Sequence, residues 1–188
     1  MIKTSLFAAA ALLALLVSGC AGISTENIPV VENFNPGRYL GTWHEIARLP
    51  QSFEEGMTRA SATYSWTGGG RIRVTNRGYN PATNRWKTAE GTAEIKGEST
   101  RGELLVCFFW PFRSSYRIIV LDPDYRYAAV CGDTLDSLWL LSRRTPLDPA
   151  VRAELVEQVA ELGFPVENLI FTEGNEPAGA TLPQESEN

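Results

Sequence analysis

The stretch Arg71-Ile-Arg-Val-Thr-Asn-Arg-Gly78, Tyr79, Asn80-Pro-Ala-Thr-Asn84, Arg85-Trp-Lys-Thr-Ala-Glu-Gly-Thr-Ala-Glu94 reads as two strands around a turn. Apolar and polar residues alternate with a period of two on either side of an Asn/Pro-rich break, which is the signature of an antiparallel hairpin. The pattern repeats along the chain. Strands are expected near Gly41–Arg48, Ala60–Trp66, Arg71–Gly78, Arg85–Glu94, Glu103–Phe109, Tyr116–Leu121, Tyr127–Cys131 and Leu138–Ser142. The breaks carry turn chemistry: Gly68-Gly69-Gly70, Gly97-Glu98, Pro111, Asp122-Pro123-Asp124 and Gly132-Asp133 supply positive or fixed φ where the chain reverses. Eight short strands joined by hairpin-length connections predict an all-β meander rather than βαβ units. A closed sheet of eight strands has no free edges and an interior that holds side chains or one small ligand.

After the strands, Asp148 and Pro149 suit the cap and first position of a helix. Val151, Leu155, Val159 and Leu162 then recur at helical spacing before Gly163. The apolar stripe of this helix needs a covering surface, and the outside of the barrel is the nearest one. Leu169-Ile170-Phe171 is expected to pair as an edge strand.

The chain has 188 residues, with 17 Lys+Arg against 22 Asp+Glu and no long basic run. This gives no electrostatic footprint for a phosphate backbone, so nucleic acid is not an expected partner. Lys3 followed by the apolar run Leu6 to Val17 reads as a cleaved signal, too short to span a bilayer comfortably. Its end, Val17-Ser18-Gly19-Cys20, resembles the lipobox of bacterial lipoproteins, in which the cysteine is acylated and becomes the new N-terminus. The resemblance implies a palmitate-type anchor on Cys20, and Ala21 after it implies sorting to the outer membrane. The expected organisation is therefore signal peptide 1–19, lipidated N-terminus and tether 20–33, barrel domain 34–173, and a disordered tail 174–188, with the barrel on the periplasmic side.

Arg38-Tyr-Leu-Gly41-Thr-Trp43-His-Glu-Ile-Ala-Arg48 holds a Gly-x-Trp motif at the start of the first strand. Gly78-Tyr-Asn-Pro81, Phe108-Phe-Trp-Pro-Phe112, Leu121-Asp-Pro-Asp-Tyr125 and Trp139-Leu-Leu-Ser-Arg143 follow in order. Together they cover about Phe34 to Phe171, and the chain resembles the lipocalins, in particular their bacterial lipoprotein branch near apolipoprotein D. One departure is His44, where that branch more often has Tyr; alternation from Trp43 turns it outward. The resemblance implies that Gly41, Trp43 and Arg143 form a structural signature, Trp43 closing one end of the barrel with Arg143 over its face.

Alternation combined with the family pattern assigns inward faces strand by strand. The ligand-lining set is Ala62, Tyr64, Val74, Asn76, Ala89, Gly91, Leu104, Val106, Phe108, Tyr116, Ile118, Val120, Ala128, Val130, Trp139 and Leu141. Periodicity alone leaves the fifth strand open between Leu104, Val106, Phe108 and Leu105, Cys107, Phe109. Small residues on one wall opposite aromatics on the other suit an acyl chain, with Tyr64, Asn76 and Tyr116 as polar points for its head. The alternative is a dry barrel filled by its own side chains. Glu45 shares Trp43's parity and must be hydrogen-bonded or protonated there, which favours a structural partner over a catalytic role. Cys107 and Cys131 fall outward on strands two steps apart, roughly 10 Å at about 4.8 Å per step, which predicts two separate thiols rather than a disulfide. The Phe108–Phe112 segment carries four aromatics in five residues and is expected at the barrel mouth or packed beneath neighbouring loops.

The function expected from anchor and cavity is binding, storage or transport of a fatty acid, lysophospholipid or phospholipid in membrane maintenance or stress, without catalysis and without metal or other cofactor. A lipid-directed enzyme is the first alternative, although the single His and the lack of a Cys/His/Asp cluster at ligand spacing speak against hydrolytic or metal chemistry. A structural envelope lipoprotein is the second. Related bacterial members can pair, so a homodimer is allowed.

Overall fold

A computed structural model describes residues 22–172. The expected signal, the anchor Cys20 and the tail lie outside the described residues. The strands are β1 Gly41–Arg48, β2 Thr58–Gly68, β3 Arg71–Asn80, β4 Arg85–Ile95, β5 Glu103–Phe109, β6 Phe112–Leu121, β7 Tyr127–Cys131 and β8 Leu138–Ser142. Each pairs antiparallel with the next, and β1 pairs with both β2 and β8, so the sheet closes into an eight-stranded barrel. A short β9, Ile170–Phe171, adds to β1 at Ala47 and Arg48. The expected up-and-down barrel is the observed one.

β6 starts four residues earlier than its sequence suggests. Phe109 pairs with Phe112, leaving only Trp110 and Pro111 between the strands. Arg113 and Ser114 are exposed, so the first part of β6 has no buried face for an apolar period to report.

β-Bulges in β1 and β6 reset the parity of side chains, because one extra residue moves the following positions to the other face of the sheet. In β1, Glu45 pairs with Leu141 and Ala47 with Leu140, which makes Ile46 the extra residue. Trp43 joins the inner core, Ile46 and Ala47 the outer one, and Arg48 turns back inward. In β6, Ile118 pairs with Val130 and Val120 with Ala129. Val120, expected in the lumen, therefore packs with Ile119 in the outer core, and Leu121 takes the inward place.

The outer core lies beneath α2, Pro149–Glu161. Asp148 caps it, accepting from the backbone N–H of Ala150 at 2.8 Å and of Val151 at 3.3 Å. Its Leu155 and Val159 are buried on Ile46, Ala47, Leu138 and Leu140.

A four-residue helix, α1 at Pro36–Tyr39, was not apparent in the sequence. Asn35 caps it and Pro36 opens it. The Trp43 indole donates to the Tyr39 carbonyl at 2.8 Å, which fixes α1 across one end of the barrel.

The expected tether is in large part docked. Ser24 bridges to Thr134, and the Thr25 hydroxyl donates to the Gly132 carbonyl at 2.6 Å. Arg117 donates to the Ile28 carbonyl at 2.7 Å, the Val31 N–H donates to the Ile118 carbonyl at 2.9 Å, and that of Phe34 to the Thr100 carbonyl at 2.7 Å. Residues 24–34 thus run along the outside of the barrel from the β7–β8 connection to the end that carries α1. Most of these ties involve backbone groups, so the segment needs no hydrophobic period to bind there.

Candidate functional site: a lumen closed at one end

In an up-and-down barrel, alternate connections share an end. The β2–β3, β4–β5 and β6–β7 connections lie with α1 at a floor, while β1–β2, β3–β4, β5–β6 and β7–β8 surround a mouth.

The floor is built around Trp43. The Arg143 guanidinium carbon stands 3.9 Å from the Trp43 ring centroid. Its nitrogens donate to the carbonyls of Thr42 and Arg38, both at 2.9 Å, and of Tyr125 at 3.3 Å. Gly41 holds φ at +89°, and a Cβ there would stand 3.3 Å from Arg143 Nη1. Backbone conformation and the close approach of the guanidinium both call for glycine.

Next to Trp43 lies a cluster of tyrosines, the Tyr39 ring centroid 4.7 Å from that of Trp43. The Tyr116 hydroxyl is 2.7 Å from that of Tyr39 and accepts from that of Tyr64 at 2.9 Å. Burial pushes the Tyr64 phenol up to about 12 and those of Tyr39 and Tyr116 well above their usual range, so all three are neutral. Three hydroxyls carry three protons, and two bonds use two of them. One proton is left for an outside acceptor. Tyr64 and Tyr116 belong to the expected set; Tyr39 does not, because it sits in the unrecognised α1. The Asn35-Pro36 pair, a cap followed by a first-turn proline, was the available signal for that helix.

Inward side chains change steadily from floor to mouth. Trp43 and Ile118 are 0% exposed and Leu104 is 1% exposed. Val74, Val130 and Leu141 are also buried in this inner core, which includes Ala128. Ala62, Val106, Phe108, Tyr116 and Trp139 pack against it half-buried, Gly91 is half-buried, and Ala89 is exposed. Register places Ala89 beside Asn76 and Gly91 beside Val74, on the inward face. A Cβ on Gly91 would stand 2.7 Å from the Cys107 carbonyl oxygen and 2.8 Å from the Phe108 ring, so the glycine makes room for both. The Asn76 carboxamide oxygen is buried without a hydrogen-bond partner. Of the expected lining residues, only Val120 faces away from the lumen.

A polar cluster stands at the mouth side. Arg48 ion-pairs with Glu45 and donates to the backbone carbonyls of Glu54 at 2.8 Å and Met57 at 3.2 Å. The Trp139 indole donates to the Glu54 carboxylate at 3.0 Å. The β1–β2 connection is thereby pinned over one side of the mouth. Burial, reinforced by Glu54, raises the Glu45 carboxyl to about 7 despite Arg48. Burial also raises that of Glu54. Glu45 thus has a structural partner, and alternation alone could not name it, since without the bulge Arg48 would point outward.

His44 is half-buried on the outer face between Ser61 and Ser142, and burial lowers its pKa. Cys107 and Cys131 are free, the second buried with its thiol pushed up to about 11. Phe109, Trp110 and Phe112 stand exposed at the mouth rather than packed beneath loops. Among the described residues no group of three or more His, Cys, Asp or Glu is placed to hold a metal ion.

Residues 34–174 match the lipocalin-like domain. The chain belongs to the lipocalin family. Among curated lipocalins it is 42% identical over 166 residues to the outer membrane lipoprotein Blc of Escherichia coli K12, covering 88% of this chain and 94% of that protein. It is 40% identical over 163 residues to the Blc of Vibrio cholerae, covering 86% and 95%. Bovine apolipoprotein D is 34% identical over 160 residues, covering 77% and 79%. Among solved structures, insecticyanin from the tobacco hornworm superposes with a TM-score of 0.65 at 22% identity, covering 80% of this chain and 86% of that one. That likeness bears on the fold alone.

Proposed function

We propose that this lipocalin is an outer-membrane lipoprotein, acylated on Cys20, that binds a fatty acid, lysophospholipid or phospholipid in its lumen and stores or carries it without catalysis. The observation that carries the reading is the graded wall: a sealed aromatic floor beneath a mouth where inward-facing Ala62, Ala89, Gly91, Val106 and Phe108 stay accessible. Apolar surface left open to water inside a barrel gains about 25 cal/mol per Å² when a ligand covers it. The spare tyrosine proton and the Asn76 oxygen are polar points in an otherwise apolar wall, suited to a carboxylic acid, ester or glycerol hydroxyl. The relatives named outer membrane lipoproteins support the location, and the lipobox-like Val17–Cys20 supports the anchor.

Native mass spectrometry of protein extracted in mild detergent tests this. Wild type is expected to carry one acyl-containing molecule per chain, lost when Ala62→Trp and Ala89→Trp fill the lumen. An empty wild-type barrel, or a ligand retained by the filled one, overturns it.

A further inference from the structure

The large exposed apolar side chains are unevenly distributed. Phe109, Trp110 and Phe112, from 77% to 78% exposed, lie at the β5–β6 turn; Phe53, 62% exposed, lies in the β1–β2 connection. Both belong to the mouth. So does Ile23, 72% exposed, whose carbonyl accepts from the Leu135 N–H in the β7–β8 connection at 2.9 Å. At the floor the counterpart is Trp66 alone among the described residues, 48% exposed.

The chain's N-terminal side ends at the same place. Ser24 bridges to Thr134, and a Cβ on Gly22 would stand 3.0 Å from the Thr134 Cβ, so Gly22 lies against the β7–β8 connection. Cys20 is two residues earlier. With consecutive Cα atoms about 3.8 Å apart, its Cα is within about 8 Å of that of Gly22 whatever the chain does between them. An acyl group on Cys20 is therefore confined to the rim of the mouth. A free tether would have let the barrel face any direction, whereas the docked segment does not.

We propose that the barrel stands mouth-down on the bilayer that holds its anchor, with Phe109, Trp110 and Phe112 seated in the interfacial layer, so that a lipid passes between membrane and lumen without crossing water. The occupant of the aromatic rim is a lipid surface. Trp suits that layer and Phe the acyl boundary beneath it, and Arg113, 5.9 Å from the Trp110 ring, is held beside them by its ion pair with Glu94 at 3.2 Å. The idea rests on the proposed anchor at Cys20.

Two separable arms test it with phosphatidylethanolamine:phosphatidylglycerol vesicles. In the first, the acylated protein is floated with vesicles; failure to float refutes the anchor. In the second, the mature chain carrying Cys20→Ser is sedimented with the same vesicles, so that only the rim can bind. A weak partition is expected that falls at least tenfold in Phe109→Ser/Trp110→Ser/Phe112→Ser and is unchanged in Trp66→Ser. Emission lost on Trp110→Phe should be quenched by lipids brominated near the headgroup, and emission lost on Trp66→Phe should not. No partition, equal partition of the triple variant, or quenching of Trp66 instead of Trp110 overturns the orientation. So does a triple variant that loses self-association in analytical ultracentrifugation but keeps vesicle binding, which would make the rim a contact between two copies.

Discussion

Replacing Arg143 by Met should unseat the floor. The substitution keeps an unbranched chain of similar reach but removes the cation over Trp43 and all donors to the carbonyls of Thr42, Arg38 and Tyr125. The cation–π contact contributes about 0.5–2 kcal/mol. Three charge-assisted hydrogen bonds at about 1.5 kcal/mol each would add more, but the side chain is half-exposed and water takes over part of that role. The net loss should be about 2–4 kcal/mol, or roughly 4–16 °C in Tm for a domain of this size. Urea unfolding followed by tryptophan emission measures it. Arg143→Lys keeps the charge but not the planar fork that reaches three carbonyls, so it should fall between wild type and Met, losing about 1–2 kcal/mol. A Met variant within about 0.5 kcal/mol of wild type, below even the weakest cation–π contact, would refute the reasoning. A Lys variant equal to wild type would show that charge alone suffices.

Tyr116→Phe removes the hydroxyl shared by Tyr39 and Tyr64 and should cost about 1–3 kcal/mol in the same assay, as two net hydrogen bonds are lost. Glu45 is raised in the folded state to about 7 from its usual 4.5, so its contribution to stability is full below pH 4.5 and lost as pH rises through 7. Stability measured across that window should therefore fall more steeply in wild type than in Glu45→Gln; equal slopes would contradict it. Alkylation of the mature chain bearing Cys20→Ser, without reductant, should add one label readily at half-exposed Cys107 and a second at buried Cys131 only after unfolding, as read by intact mass. Absence of both labels after unfolding would mean a disulfide.

Much of the barrel was legible because each strand has one wet and one dry face, and turn residues mark the reversals. Parity failed at two places where an apolar run hides an inserted residue. Ile46-Ala47 and Ile118-Ile119-Val120-Leu121 contain no polar residue to show where alternation breaks, and each holds a bulge. From this came both the misplacement of Val120 and the missing partner of Glu45. α1 is a single turn, too short for a period, and Tyr39 with its hydroxyl network went unseen with it. The docking of residues 24–34 was invisible for another reason: backbone groups make most of its ties, and every sequence has those.

The most direct measurement is a binding isotherm of delipidated protein with a lysophospholipid, followed by titration calorimetry and repeated with the lumen filled by Ala62→Trp/Ala89→Trp. Saturation at one lipid per barrel in wild type, with none in the filled variant, is the predicted result. A wild type that takes up no lipid saturably, or a filled variant that binds as well as wild type, would contradict the assignment of the lumen as a lipid site.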